Sequence, residues 1–216
     1  MYTEEERPFT QYPDQLAKHL ATKFGMKAGQ KLIDVGCGRG DFLRGFIRLG
    51  LECYGVDQTD AAKKICPEAD IKIANLEKEL PYPDNTFDIV YSKSVIEHFY
   101  HPENLAAEMH RILKPGGILV ALTPDWEWVY KVFFKDYTHR TPFTVVSLDY
   151  FLKIHGFEKV QVERFRQLPI LWAMPWMMPL SFLTAKLLPD CLGKYAKFIF
   201  FSKEVMLLGA GHKPHK

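Results

Sequence analysis

The chain has 216 residues, of which 47% are hydrophobic and 25% are charged, and its formal net charge is +2. This length allows one domain with a sizeable core and is short for two. The small charge and the lack of a Lys/Arg block argue against a nucleic-acid-binding surface.

Short apolar runs alternate with segments of helical spacing along the chain. The predicted strands are residues 31–35, 53–56, 71–74, 87–91, 118–122, 158–165 and 205–210, and the predicted helices are residues 13–24, 41–49, 59–66, 102–113 and 145–155. Such alternation predicts right-handed βαβ units, and therefore an open parallel sheet with helices on both faces.

A glycine-rich segment, LIDVGCGRGDF, follows the first predicted strand and opens a helix. A dinucleotide-binding fingerprint would place its third glycine at Asp41, whereas this loop places it at Gly40. The acidic Asp34 beside the loop suits a neutral or cationic ligand better than a pyrophosphate. Asp57, at the end of the second predicted strand, can accept the hydroxyl hydrogens of a ribose. The pattern predicts a nucleoside ligand without a pyrophosphate.

Together, the loop, Asp34 and Asp57 resemble the class I S-adenosylmethionine (SAM) dependent methyltransferases. The stretch LPYPDNTFDIVYSKSVIEHFYHPENLAAEMHRILKPGG resembles the small-molecule, methyltransferase type 11-like branch of that family. The resemblance covers residues 30–124, and KDYTHRTPFT and GFEKV extend it more loosely. It implies an α/β, Rossmann-like, doubly wound sheet of seven strands, mostly parallel with an antiparallel last strand.

The resemblance implies a single methyltransferase domain over residues 1–216. Residues 1–29 would form an N-terminal helical lid, residues 30–124 the SAM-binding core, and residues 125–216 the substrate half. In this fold the last two strands usually form a hairpin, but here an apolar insertion, residues 166–204, separates them.

Cofactor contacts follow from the same resemblance. The glycine loop would pack on the methionine portion of SAM, Asp57 would hold the ribose, Asn75 and Leu76 would meet the adenine, and the Ser92 backbone would contact the ammonium. The family usually carries Asp at the Asn75 position, although an amide can also hydrogen-bond the adenine edge. The residues implied to bind SAM, or its product S-adenosylhomocysteine, are Asp34, Gly36, Cys37, Gly38, Gly40, Asp57, Gln58, Asn75, Leu76 and Ser92.

Two histidines, His98 in VIEHF and His139 in DYTHRTPFT, are the predicted catalytic residues. Each follows a strand on the ligand side of the sheet, and an imidazole can remove the proton of an acceptor hydroxyl. The alternative is that His98 packs locally and that His139 anchors a polar loop. Although Glu97, His98 and His101 carry potential ligand atoms, H-x-x-H spacing is common by chance, and no metal is predicted.

The insertion contains an uncharged stretch, residues 167–185, that is long enough to span a bilayer. Its prolines, and the need to return the last strand to the sheet, argue against a transmembrane helix. One interpretation is a lid over an apolar substrate pocket. Another is a peripheral membrane contact in which Lys186, Lys194, Lys197 and Lys203 face anionic lipid. The insertion could also pack on the core or form a homodimer contact.

The predicted function is methyl transfer from SAM to an oxygen of a small or amphipathic acceptor, such as a sugar, lipid-linked glycan, phenol or quinone. The alternatives are an N-, C- or S-methyltransferase, a SAM-binding regulator without turnover, and an NAD(P)-dependent enzyme, against which the glycine spacing argues. None of the four cysteines forms a C-x-x-C pair, and the acidic N-terminus lacks the blocks of a signal peptide. A cytoplasmic protein, or one peripheral to the membrane, is expected.

Overall fold

The computed structural model describes residues 8–188 and 197–215. The strands are β1 (Lys31–Val35), β2 (Glu52–Asp57), β3 (Asp70–Ile73), β4 (Phe87–Lys93), β5 (Leu113–Pro124), β6 (Glu158–Arg166) and β7 (Val205–His212). The α-helices are α1 (Tyr12–Phe24), α2 (Asp41–Arg48), α3 (Ala62–Ile65), α4 (Pro102–Ile112), α5 (Trp126–Phe133), α6 (Val145–Ile154), α7 (Pro169–Ala173), α8 (Met178–Leu187) and α9 (Lys197–Lys203). Single 3₁₀ turns occupy Ile96–His98 and Pro175–Met177.

All seven strands form one sheet in the order β3-β2-β1-β4-β5-β7-β6. The pairs among β1 to β5 are parallel, and β7 runs antiparallel to both β5 and β6. This confirms the predicted Rossmann-like sheet with an antiparallel last strand. The order reverses between β1 and β4, and ligands of such sheets bind outside the strand ends at this switch point.

Two apolar layers cover the faces of the sheet. Successive side chains of β1 point to opposite faces, so Leu32 joins one layer while Ile33 and Val35 join the other. Helices α1 and α2 complete the first layer, and α4 and α6 complete the second. The β1–α2 loop is therefore supported on both sides of the sheet.

Several elements differ from the sequence prediction: β5 begins at Leu113 and not at residue 118, the described part of the insertion contains three helices that were not predicted, and β4 and α5 differ as follows. Strand β4 continues to Lys93, so Ser92 lies inside it and not after it. Helix α5 was not predicted. Its N-cap is Asp125, which is fully buried and accepts a hydrogen bond from the Glu127 amide. An N-cap aspartate before an aromatic-rich segment was the available sequence signal.

The described part of the insertion consists of α7, a 3₁₀ turn, α8 and α9. Residues 189–196, and with them the predicted lipid-facing Lys194, lie outside the described residues, as do residues 1–7 of the predicted lid. Helix α1 packs against α2 and reaches the insertion through a hydrogen bond from the Tyr12 hydroxyl to Gln167. Among the described helices, none has the length and hydropathy needed to cross a bilayer.

Candidate active site

The β1–α2 loop turns sharply at glycines with positive φ. At Gly36 φ is 81°, and a Cβ there would lie 2.3 Å from a methyl carbon of Val95, so the turn requires glycine. At Gly38 φ is 53°, and a Cβ would meet nothing within 4 Å. Gly36 is thus needed for packing within the protein, whereas Gly38 exposes backbone to the adjoining space.

The amides of this loop are hydrogen-bonded within the protein. Gly36 and Cys37 donate to the Val56 carbonyl (2.8 and 3.3 Å), Gly38 donates to the Asp57 carboxylate (2.9 Å), and Gly40 donates to the Cys37 carbonyl (2.8 Å). A pyrophosphate would need such amides to be open. These four amides are therefore not open to a pyrophosphate.

A cavity of about 700 Å³ extends from the glycine loop to the two predicted catalytic histidines. Asp34, Gly36, Cys37 and Gly38 line one part of it, and His98 and His139 line another. Asp34 is buried, and burial, followed by the charge of Asp57, raises the pKa of its carboxyl to about 8. A buried carboxyl beside an open glycine backbone fits a ligand with a positively charged group.

Six of the predicted cofactor residues do not line this cavity as the structure describes it; they are Gly40, Asp57, Gln58, Asn75, Leu76 and Ser92. The Asp57 carboxylate accepts the amides of Gly38 (2.9 Å) and Thr59 (3.1 Å), so it holds the glycine loop at the end of β2. Asn75 is exposed beyond β3, and its side-chain oxygen accepts the Glu77 amide. The Ser92 side chain is buried and donates its hydroxyl hydrogen to the Val35 carbonyl (3.0 Å), so only its backbone remains for the predicted ligand contact.

His98 ends the 3₁₀ turn after β4, and its hydrogen bonds define its tautomer. The Thr138 hydroxyl donates to Asp136 (2.6 Å), so its oxygen accepts the Nδ1 hydrogen of His98 (2.9 Å). The Nε2 atom of a neutral His98 then carries the lone pair. Burial, followed by the charge of His139, lowers the His98 pKa and favours this neutral form.

His139 lies beyond α5 and is oriented in the same manner. Its Nδ1 hydrogen is donated to the Phe133 carbonyl (2.8 Å), which leaves the lone pair of the neutral ring on Nε2. The His98 and His139 ring centroids are 4.8 Å apart. The structure therefore brings together two imidazoles that are separated in sequence by α4, β5 and α5.

Glu97 is the site residue that sequence reasoning left aside. Its side chain is completely buried, yet it lines the cavity. One carboxylate oxygen accepts the Thr123 hydroxyl (2.9 Å), and the other has no hydrogen-bond partner among the described residues. Its backbone carbonyl accepts the amides of Arg140 and Thr141 (2.7 and 3.0 Å), which fixes the loop of His139 against the turn of His98.

Comparison with known proteins finds similarity to methyltransferases. Residues 33–121 match the family model described as a methyltransferase domain. The sterol 24-C-methyltransferase of Schizosaccharomyces pombe is 32% identical in an alignment of 132 positions, which covers 55% of this chain and 34% of that protein. This chain thus spans about a third of that relative's length.

Solved structures show the same fold. A putative methyltransferase of Bacillus halodurans superposes with a TM-score of 0.64 at 19% identity, over 92% of this chain and 98% of that one. Phosphoethanolamine N-methyltransferase 2 of Haemonchus contortus, in complex with S-adenosyl-L-methionine, gives a TM-score of 0.63 at 21% identity. That superposition covers 95% of this chain and 58% of the other.

Proposed function

We propose that this chain, which belongs to the class I SAM-dependent methyltransferases, methylates an oxygen of a small or amphipathic acceptor. The cavity supports this proposal, because one space of about 700 Å³ joins the glycine loop to His98 and His139. A cofactor on the loop and an acceptor beside the histidines would share that space, as direct transfer requires.

For the cofactor, two features of the glycine loop support SAM. Gly38 leaves room for close approach, and Asp34 offers a buried carboxyl for a cationic group. Asp57 would hold the ribose with lone pairs of the carboxylate that also accepts the Gly38 amide, and Asn75 with Leu76 would meet the adenine. When bound, SAM supplies a methyl group on a sulfonium leaving group.

For the acceptor, the histidines supply the base. His98 and His139 each direct Nδ1 to a hydrogen-bond acceptor, so each neutral ring has a lone pair at Nε2. The hydroxyl proton would move to one of these nitrogens as the oxygen accepts the methyl group. General-base catalysis of this kind contributes about 10²- to 10⁴-fold.

Replacement of each histidine by glutamine tests this role. We expect His98→Gln or His139→Gln to lower kcat by about 10²-fold or more, with SAM affinity unchanged. His155→Gln is a matched control, since the His155 Nδ1 also pairs with a backbone carbonyl (2.7 Å) but the ring is not in the cavity lining. Full turnover in both cavity variants would mean that neither imidazole removes the proton.

The acceptor requires a screen, in which formation of S-adenosylhomocysteine is measured against sugars, quinones, phenols and lipid-linked glycans. The relatives named above act, by their names, on a sterol carbon and on a phosphoethanolamine nitrogen. Amine and sterol acceptors therefore belong in the same screen. Turnover with these acceptors alone would replace O-methylation by N- or C-methylation. SAM binding without turnover on any of them would favour a regulator.

We also infer a peripheral contact between the insertion and an anionic membrane surface. In α8 the hydroxyl residues Ser181 and Thr184 face inward, while Leu180, Leu183 and Leu187 are exposed. The Ser181 hydroxyl is hydrogen-bonded to the Ser202 hydroxyl of α9 (2.9 Å). Packing against α9 therefore keeps the hydroxyl residues of α8 inside and its leucines outside. Lys186 lies on the same helix, and basic residues beside an exposed apolar face are typical of interfacial helices. Flotation with lipid vesicles tests the contact.

A further inference from the structure

We propose that Glu97, His98 and His139 bind one divalent transition-metal ion in the wall of the cavity. Each residue offers one potential ligand atom, and these three atoms lie within 4.8 Å of one another. Two imidazoles and one carboxylate suit Zn²⁺, Fe²⁺ or Co²⁺ better than Mg²⁺ or Ca²⁺, which prefer all-oxygen sites.

Both histidines are held as metal-binding histidines usually are. A histidine ligand almost always donates its second ring N–H to a carbonyl, a carboxylate or a similar acceptor, which fixes the ring and its tautomer. His139 donates to the Phe133 carbonyl, and His98 donates to the Thr138 hydroxyl that is bonded in turn to Asp136. In the neutral form of each ring, these hydrogen bonds leave the lone pair on Nε2.

The Glu97 carboxylate gives a second, independent indication. The group is fully buried, and one of its oxygens has no partner at full hydrogen-bond geometry, although the backbone N–H groups of Glu97 and Val95 also act on it. A bound cation would compensate its buried charge further. The Lys93 ammonium acts on this carboxylate and would oppose a second cation. Asp136, whose carboxylate lies 4.0 Å from the His139 Nε2, adds negative charge at the other side of the cluster.

His101, the second histidine of the H-x-x-H spacing, does not join the cluster. Its side chain is exposed and contacts Glu103 (3.0 Å) at the start of α4. The sequence pattern pointed to His101 as the third residue, and no metal was predicted because H-x-x-H spacing is common by chance. The residue that completes the cluster, His139, comes from the loop after α5.

Three protein ligands leave coordination positions open toward the cavity, as in catalytic zinc sites. If the proposed methyl transfer to oxygen holds, the ligand for an open position is the acceptor hydroxyl or phenol oxygen. A bound divalent ion would lower the pKa of such an oxygen, so that its proton is lost to water before the methyl group is transferred. The two imidazoles would then act as ligands of the ion and not as the base. Only this role, and not the binding of the ion, rests on the proposed function.

Titration of the full, chelator-treated chain with Co²⁺ tests the site. We expect one ion per chain, with the visible absorption of nitrogen and oxygen ligation, and a parallel signal for Zn²⁺ by calorimetry. Glu97→Gln and His139→Gln should each weaken binding by about 100-fold or more. Thr138→Val, which removes the hydroxyl that joins the His98 ring to Asp136, should weaken it by about 10- to 100-fold. His101→Asn, which places a favourable N-cap residue at the start of α4, should bind like the wild type.

Circular dichroism and SAM binding, measured on the same variants, report whether each one is folded. Absence of saturable binding to the wild type would overturn the site, and so would equal binding by the folded Glu97→Gln and His139→Gln variants. A thiolate charge-transfer band would overturn it too, by assigning the ion to cysteines. Turnover that survives complete metal removal would leave the proposed function intact but overturn the role of the ion. A metal-binding chain without methyl transfer would contradict only the proposed function.

Discussion

Asp34 is a buried residue in the cavity wall, and its protonation should be linked to cofactor binding. Burial, followed by the charge of Asp57, raises its pKa to about 8, so the carboxyl holds a proton below that pH when no ligand is bound. A cationic ligand favours the carboxylate and therefore displaces the proton. We expect SAM affinity to rise by up to about tenfold per pH unit as the pH approaches 8, with about one proton released.

Calorimetry in buffers of different ionisation enthalpy measures that proton. The matched variant is Asp34→Asn, which keeps the shape and removes the titration, so it should bind SAM with a flatter pH profile. Equal proton release by the wild type and Asp34→Asn would assign the pH dependence to another group. The stability of the ligand-free protein changes with pH in the opposite direction to SAM affinity. The folded state holds a proton that the unfolded chain loses above its ordinary pKa of 3.8, so Asp34 reduces stability as the pH rises toward 8.

Residue identity alone indicated part of the site. Gly36, Gly38 and Asp34 could be assigned because glycines and an acid around the end of a buried strand are typical of a loop that binds a ligand through its backbone. Glu97 could not be assigned in this way, since an isolated glutamate usually lies at the surface. Its burial depends on Thr123, which β5 places opposite it. The pairing of His98 with His139 likewise depends on the hydrogen bonds of a loop that no sequence periodicity describes.

At the scale of elements, two Gly→Ala variants can distinguish the effect of a cofactor contact on SAM affinity from the effect of backbone strain on stability. A methyl added at Gly38, or at Gly25, the C-cap of α1, would meet no protein atom within 4 Å, but only Gly38 lines the cavity. Both glycines have positive φ (53° and 66°), so each Ala variant should lose about 1–2 kcal/mol of stability. Only Gly38→Ala should also weaken SAM binding, by about tenfold or more, because the added methyl overpacks a close contact.

Thermal unfolding and SAM titration of the two variants measure these effects. Wild-type affinity in Gly38→Ala would show that the cofactor does not lie against this glycine. Loss of affinity in Gly25→Ala would show that loop strain elsewhere, and not contact, controls binding. The pair therefore tests the cofactor position without altering a charged residue.

The strands were predicted correctly where burial alone determines the choice of residues. Strands β1, β2 and β4 are buried on both faces, so their apolar runs were visible in the sequence. Helix α5 was missed because it carries large aromatic residues on exposed and buried sides alike, with Tyr130 53% exposed and Phe133 fully packed. Its start depends on the buried Asp125, whose second oxygen pairs with Arg164 of β6 (2.7 Å). Such long-range partners are not visible in local sequence.

At the scale of the whole molecule, the insertion borders the cavity that the sheet creates. Gln167 precedes α7, Glu204 follows α9, and both line the cavity together with the start of β7. The sequence indicated an apolar segment of unusual composition. It did not indicate that α8 turns hydroxyl groups inward and leucines outward, because that arrangement depends on the packing of α8 against α9.

This exposed face should bind anionic vesicles. Apolar side chains on α8 would enter the interface, and Lys186 would add about 1 kcal/mol of attraction to anionic headgroups. Leu183→Glu (53% exposed) places a negative charge on that face and should abolish flotation with anionic vesicles. Tyr150→Glu makes the same change at a 66% exposed site on α6, away from the insertion, and should float like the wild type.

Sedimentation of the lipid-free chain tests the alternative, that this face of α8 binds a second copy of the chain. A stable dimer that Leu183→Glu dissociates, without vesicle binding by the wild type, would identify this face as a contact between two copies.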